Sequence, residues 1–426
     1  MLTTLFARRL GSVMPMTLGI LLVAAAGHAQ IPCGGYEVTA IIAGPDCGPP
    51  GLGAVLPYAI NEAGDVAGFF ICPVLADHAF LWTASSGLQT IPMPPGTTQS
   101  RALGINGTQV VGYHVVSGDE FGNLAFLYDA ETGEFTNLGT FPGGDWSEAF
   151  AVEDGVVVGF AGNTVMGDPP LEAFIYQDGV MVNLGEDLGT PSSRARDIAK
   201  GMVTGWMGQS LGFDRNAYIW HNGQVTELPP IPRGFNSDGE GVSDEGYVAG
   251  HGQKIDGDGS TLVHGFLWNN DDGMIELGTL PGFIWSAAVD ITPDGRQVVG
   301  RSWNMEGNPG ISRGFIWANG VMRDLNDFIP PEAGLDIRTA SAINGAGQIA
   351  ALAHSDDLDA TVGVVLTPVE GPLGDLDGDC VVGILDLLAL LADWGPCPPM
   401  ADCPGDLNED GIVNIFDLLL LLVNWG

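Results

Sequence analysis

The 426-residue chain carries 52 Asp+Glu against 14 Lys+Arg, a formal net charge of −38 at pH 7. Such a surface repels a phosphate backbone, which excludes nucleic acid as a partner, and it favours solubility and attracts divalent cations. The abundance of Gly (64) and Pro (28) beside many Val, Ile, Phe and Trp points to short strands joined by tight turns.

At the N-terminus, Arg8 and Arg9 precede a mostly apolar run from Val13 to Ala26, and Gly27-His28-Ala29 offers small residues at cleavage offsets. This pattern predicts a secretory signal peptide over residues 1–29 and a secreted, extracellular or cell-surface-associated product. No later stretch is long and apolar enough to span a bilayer, so no membrane span is expected in the mature chain. Six cysteines in an exported protein can oxidise. Cys33, Cys47 and Cys72 fall early and Cys380, Cys397 and Cys403 fall late, so each group holds an odd number.

From residue 30 to 370 the chain repeats itself. One element reads YAINEAGDVAG (58–68), ALGINGTQVVG (102–112), VDITPDGRQVVG (289–300) and SAINGAGQIAA (341–351). A second reads HAFLW (78–82), LAFLY (124–128), EAFIY (172–176), NAYIW (216–220), HGFLW (264–268) and RGFIW (313–317). A third reads NLGTF (137–141), NLGED (183–187) and ELGTL (276–280). The aromatic anchors recur every ~44–49 residues, the period of a propeller array. Each unit provides four short strands, and Asn-Gly or Asp-Gly between apolar runs, as at Asn319-Gly320, marks a hairpin. The expected fold is mainly β, a seven-bladed propeller with units starting near Tyr58, Ala102, Ala151, Arg196, Gly241, Val289 and Ser341. The last unit has GVVLTP (363–368) but no fourth strand, and YEVTAII (36–42) can supply it, closing the ring and removing exposed edges.

This segment resembles the extracellular HAF repeat family, named for the motif that stands here as His78-Ala79-Phe80. The resemblance implies a propeller-like fold and no established chemistry. The variation at the motif's first position (Leu124, Glu172, Asn216, His264, Arg313) fits a blade-edge residue better than a catalyst.

Up-and-down strands place Cys47 and Cys72 on one face of adjacent blades, which predicts a bridge between them. That face also collects the variable loops, with Trp146 and Trp285 in the connections PGGDWSEA and PGFIWSAA. Exposed Trp beside Asp and Asn suits sugar stacking, whereas the structural alternative packs both rings between blades. Gly208-Gln209-Ser210-Leu211-Gly212 matches G-x-S-x-G, but lies between two strands rather than on a strand–turn–helix elbow. Asp256-Gly257-Asp258 opens like a calcium loop but lacks a carboxylate at position twelve. No catalytic residue is assigned.

From residue 371 to 426 the composition changes, and GDLDGDCVVGILDLLALLADWG (374–395) aligns with GDLNEDGIVNIFDLLLLLVNWG (405–426). In the second copy Asp406, Asn408, Asp410, Ile412 (carbonyl), Asn414 and Asp417 occupy positions 1, 3, 5, 7, 9 and 12 of a calcium loop, with Gly411 at the turn. The equivalents in the first copy are Asp375, Asp377, Asp379, Val381 (carbonyl) and Asp386. Cys380 replaces the turn glycine and Gly383 has no ligand side chain, so this site should hold Ca2+ more weakly than the second. Each loop leads into a short leucine-rich helix, expected to be buried on more than one side. Cys397 and Cys403 flank the linker and could bridge. The tail resembles a type I dockerin, an all-α unit of two half EF-hands that docks onto a cohesin. The family's recognition positions correspond here to Ile384, Leu385, Ile415 and Phe416, all apolar.

The expected function is a secreted, non-catalytic binding or scaffold protein. Its propeller would present a ligand face, for instance to an extracellular polysaccharide, and its tail would attach to a cohesin-like or cell-surface partner. The alternatives are a polysaccharide-degrading glycoside hydrolase carrying a dockerin, which needs convergent carboxylates, and a structural matrix or surface-layer protein.

Overall fold

The computed structural model describes residues 32, 34–41, 53–71, 77–117, 122–162, 172–209, 214–304, 311–369, 371–376, 381–397, 403–408 and 410–426. Residues 1–31, Cys33, Cys47, Cys72, Cys380, Ser210, Asp377 and Asp379 lie outside the described residues. The expected bridge between Cys47 and Cys72 and part of the first loop expected to hold calcium fall there as well.

Seven four-stranded antiparallel sheets form the blades of a propeller. Their inner strands are Ala54–Ile60, Thr97–Asn106, Trp146–Glu153, Ser192–Ala199, Gly234–Val242, Trp285–Ile291 and Leu335–Ile343, blades 1 to 7 in order. Tyr36–Ile41 completes blade 7 as its outermost strand, antiparallel to Ala360–Pro368 in the register Tyr36↔Pro368 to Ile41↔Gly363. Blade 7 is therefore closed by strands from both ends of the repeat region, so the ring cannot open without breaking that ladder. Asn344 Nδ2 donates to the Asn61 carbonyl (2.9 Å) and Gly345 N to the Glu62 carboxylate (2.9 Å), joining blade 7 to blade 1.

Two repeated motifs turn out to be halves of one contact. Gly68, Gly112, Gly159, Gly205, Gly250 and Gly300 on second strands pair with Phe80, Phe126, Phe174, Tyr218, Phe266 and Phe315 on third strands. All six aromatic rings are fully buried. A Cβ on Gly159 would sit 2.9 Å from the Phe174 ring and collide with the Glu148 carbonyl oxygen. Glycine is thus the residue that lets the ring lie flat across the strand. The small residue before each aromatic has its own reason. The backbone amides of Ala79, Ala125, Ala173, Ala217 and Gly265 donate to Ser100, Ser147, Ser193, Ser237 and Ser286 of the next blade's inner strand, at 2.8–3.0 Å. Each buried staple contributes about 1 kcal/mol to blade-on-blade packing.

Asn319 and Gly320 both take positive φ, 51° and 80°, as a primed hairpin turn requires. Blade 3 departs from the expected pattern. Its fourth strand is Val180–Asn183, and the segment read as a Leu-Gly strand becomes a single helical turn, Gly185–Leu188. Asn183 Oδ1 accepts the Gly185 amide at 2.6 Å, which starts that turn.

In the tail, two nine-residue helices, Ile384–Ala392 and Ile415–Val423, pack through Val382, Leu390, Val413 and Leu421. Asp386 and Asp417 hold the equivalent place in the first turn of each. Their carboxylates accept the amides of Gly383 (2.6 Å) and Asn414 (2.8 Å), capping the helix starts. A two-residue ladder pairs Gly395–Pro396 with Ile412–Val413, and a disulfide joins Cys397 to Cys403. The leucine runs are not buried on several sides. Leu388, Leu391, Leu419 and Leu422 are all exposed, because two short helices cover only one face of each other. Among the described residues no helix is long and apolar enough to cross a membrane.

Candidate functional site

Every inner strand slips register at one equivalent place, between Pro57/Ala59, Ala102/Gly104, Ala149/Ala151, Ala195/Asp197, Gly239/Gly241, Ala288/Asp290 and Ala340/Ala342, and those of blades 2, 5 and 7 slip a second time nearer their start. A bulge leaves one residue unpaired and bends the strand. The seven extra residues are Tyr58, Leu103, Phe150, Arg196, Glu240, Val289 and Ser341. All seven line a cavity of about 580 Å³ on the propeller axis. The fold thus brings one side chain of every blade to the same level of the channel, and the sequence varies all seven. Aromatic, apolar, cationic, acidic and hydroxyl groups share this ring, as in a ligand pocket rather than a uniform plug.

The charged part of the wall lies in blades 4 to 6. Arg196 Nε is 3.4 Å from Glu240, and its guanidinium lies 4.5 Å from the Phe150 ring centre. Asp238 accepts from Arg215 at 2.7 Å, and His251 Nε2 is 3.3 Å away. Burial pushes the Asp238 carboxyl up, but His251, Arg215 and Arg196 outweigh it and hold the group below its usual range. Arg194 lies over Phe160 at 4.2 Å, and burial, reinforced by Arg196, lowers its pKa to about 10. Arg301, exposed on the channel wall, stacks 4.9 Å from Trp303.

Two carboxylates sit one residue beyond their bulges. Asp197 Oδ2 accepts the Val242 amide of blade 5 (2.8 Å), while Asp290 Oδ2 accepts the Ile343 amide of blade 7 (2.8 Å) and Oδ1 its neighbour Ile291 (2.8 Å). Burial raises Asp197 to about 6. Burial and then the charge of Asp197 raise Asp290 to about 8. Each group braces one blade against the next. The two are near enough for the charge of Asp197 to act on Asp290, and both are engaged with backbone amides.

Trp146 and Trp285 begin the inner strands of blades 3 and 6, both half-buried. Trp146 Nε1 donates to Glu148 (3.1 Å), and Trp285 Nε1 donates to the Thr261 carbonyl of blade 5 (3.4 Å) while its ring tilts against Trp303 at 6.1 Å. They stand three blades apart, each engaged with neighbours, and do not form one joint platform. The channel ring was not singled out from sequence. Its signal is the residue two before Ile-Asn or its counterpart, visible only once the bulge is known.

In the second tail loop, read from the sequence as a calcium site, the side chains turn onto loop amides. Asp406 accepts from Asp410 N (3.1 Å) and Gly411 N (2.7 Å), and Asp417, fully buried, accepts from Asn408 N (3.2 Å) and Asn414 N. Asn414 caps the Phe416 amide at 2.9 Å, and the Ile412 carbonyl accepts from Asn414 Nδ2. In the first copy Asp386 Oδ1 accepts the Leu376 amide at 2.6 Å, and Asp375 and Val381 are described beside it. Among the described residues no group of three His, Cys, Asp or Glu side chains is gathered to hold a metal. Ile384, Leu385, Ile415 and Phe416 are 60%, 57%, 52% and 62% exposed. With Leu388, Leu391, Leu419 and Leu422 they form matching apolar stripes on the two helices.

No protein-family model and no curated protein matches the sequence. Among solved structures, an oligogalacturonate lyase in complex with manganese aligns at TM-score 0.49 and 10% identity, over 81% of this chain and 99% of that one. A prolyl endopeptidase aligns at 0.48 and 10%, over 80% of this chain and 52% of that one. The propeller domain of the Trilobed protease from Pyrococcus furiosus aligns at 0.44 and 14%, over 65% and 85%. This chain spans about half the length of the prolyl endopeptidase.

Proposed function

We propose that the protein is an exported, non-catalytic binding protein of HAF-repeat type, whose propeller channel takes the ligand and whose dockerin-like tail attaches it to a cohesin-like or cell-surface partner. The observation that carries the reading is the bulge in all seven inner strands, which brings seven chemically different side chains to one cavity. A structural plug would be met by repeating one apolar residue. The non-catalytic part is supported by the state of the two deep carboxylates, whose oxygens accept inter-blade amides.

The attachment part draws on the tail. Its second loop offers carboxylate, amide and carbonyl oxygens at alternating positions, a donor set that fits calcium. The residues that would hold it are Asp406, Asn408, Asp410, Ile412, Asn414 and Asp417, and bound calcium would replace loop hydrogen bonds with a single charged centre. A unit of some fifty residues has little core, so such an ion would supply much of its folding energy. The apolar stripes at Ile384/Leu385 and Ile415/Phe416 suit a protein partner.

A hydrolase remains the second reading, since the raised pKa of Asp290 would suit a general acid. A glycan-array screen of the purified chain, run beside a reducing-end assay on the bound sugars, tests the choice. Binding without turnover is expected. Released reducing ends would overturn the proposal.

A further inference from the structure

The seven bulge residues are arranged unevenly around the channel. Inner strands touch in chain order, and the last touches the first. In a ring of seven, blade 1 stands opposite blades 4 and 5, so Tyr58 lies across the channel from Arg196 and Glu240. Tyr58 is 43% exposed, an open aromatic surface on the wall. Leu103, Phe150, Val289 and Ser341 fill the remaining places without charge. Arg196 and Glu240 therefore form the one charged pair at this level. Arg196 Nε is 3.4 Å from the carboxylate, and the Phe150 ring, 4.5 Å away, holds the guanidinium in place. No hydrogen bond joins the two side chains, and both are partly exposed. His251 Nδ1 lies 3.6 Å from the same carboxylate and, like Arg196 Nε, is buried with no hydrogen-bond partner. The other wall acids are committed. Glu153, Asp197 and Asp290 accept backbone amides of the next blade, and Asp244 lies 3.5 Å from Lys200. Glu240 braces no blade in this way, so its carboxylate is left with unused acceptor capacity beside unused donors. Arg301 belongs to the second strand of blade 6, outside the ring, and stacks on Trp303.

We propose that the channel takes a neutral, hydroxyl-rich saccharide, one ring of which lies with its C–H face on Tyr58 while its hydroxyls engage Arg196 and Glu240 on the far wall. This rests on the channel reading above and narrows it. A hydroxyl both donates and accepts, so neighbouring hydroxyls on one sugar satisfy the guanidinium and the carboxylate together without adding charge. A charged ligand would meet a like and an opposite charge side by side, and its own charge would gain little at this level. A capped peptide offers donors and acceptors but no flat C–H face beside them. The cavity of about 580 Å³ suits an oligosaccharide of a few rings.

The test is calorimetry on the full chain with unbranched neutral tetrasaccharides of glucose, mannose and galactose, their uronate counterparts, and an end-capped uncharged tetrapeptide. At least one neutral sugar should bind more tightly than its uronate counterpart, with an affinity that changes less than about twofold between low and high salt. Tyr58→Ala should weaken that binding about tenfold through loss of the aromatic face. Glu240→Gln, which keeps the shape and removes the charge, should also weaken it about tenfold. Thermal midpoints are the folding control, and because Tyr58 is exposed its variant decides the matter even if the Glu240 variant does not fold. Tighter binding of a uronate, or binding of the peptide in place of the sugars, would overturn the neutral-saccharide assignment and leave the channel reading standing. An unchanged affinity in folded Tyr58→Ala would also overturn it. Silence from every probe would end the assignment as well, and the glycan screen then judges the channel itself.

Discussion

Replacing Asp290 with Asn should reverse its effect on stability between acid and alkaline pH. Two amide donors, Ile343 and Ile291, favour the charged carboxylate, while burial and Asp197 disfavour it, and the balance puts the group at about 8. Between about pH 4, where the unfolded carboxyl titrates, and pH 8, the folded chain holds a proton that the unfolded chain has lost. Stability from this group therefore falls as pH rises through that window and levels off above it. Four units would correspond to about 5–6 kcal/mol if fully realised. The side chain keeps a partial opening to the channel, so solvent screening cuts this to about 2–3 kcal/mol. Asn stays neutral throughout but has only one acceptor oxygen for two amides, a loss of about 1–2 kcal/mol. The variant should thus be less stable than the parent by about 1 kcal/mol at pH 4.5 and more stable by about 1 kcal/mol at pH 9. Urea unfolding followed by tryptophan fluorescence at pH 4.5, 7 and 9 reads the difference directly. A gap of constant size and sign at all three values would refute the reasoning, because Asp290 would then be an ordinary carboxylate stabilised by its two amides.

Other substitutions probe the blades and the tail. Gly159→Ala forces a Cβ against the Glu148 carbonyl and the Phe174 ring, so thermal unfolding should show a loss of about 1–3 kcal/mol; an unchanged midpoint would mean the Gly–Phe contact is not as close as described. Asp406→Ala combined with Asp417→Ala should abolish the tighter phase of calcium uptake in calorimetry, leaving at most the weaker first loop, and unchanged uptake would refute the donor assignment.

The architecture was legible in the sequence where one residue type recurs for one physical reason. The six aromatics and the six glycines opposite them are locked together by sterics, so both repeat visibly, and the orphan strand at 36–41 followed from counting strands in the last unit. The buried Ser that staples five of the seven blade pairs was equally regular, three residues before the shared bulge, but serine is common enough to pass unnoticed. The channel ring was not legible. A bulge breaks the two-residue alternation by which inward and outward positions are read, and the seven side chains differ because ligand contact, not packing, would set them. The tail failed in the opposite way. Its leucines look like a core to a one-dimensional reading, yet the pairing of two nine-residue helices leaves half of them on the surface.

The claim that the axial cavity is the binding site is tested most directly by filling it. Val289 lines the channel from a bulge, outside the ladder that pairs its strand with the next. Val289→Trp should leave the thermal midpoint within about 2 °C of the parent, as expected for a change of less than about 0.5 kcal/mol, and should eliminate every glycan signal the parent gives. Full retention of those signals by the folded variant would contradict the account.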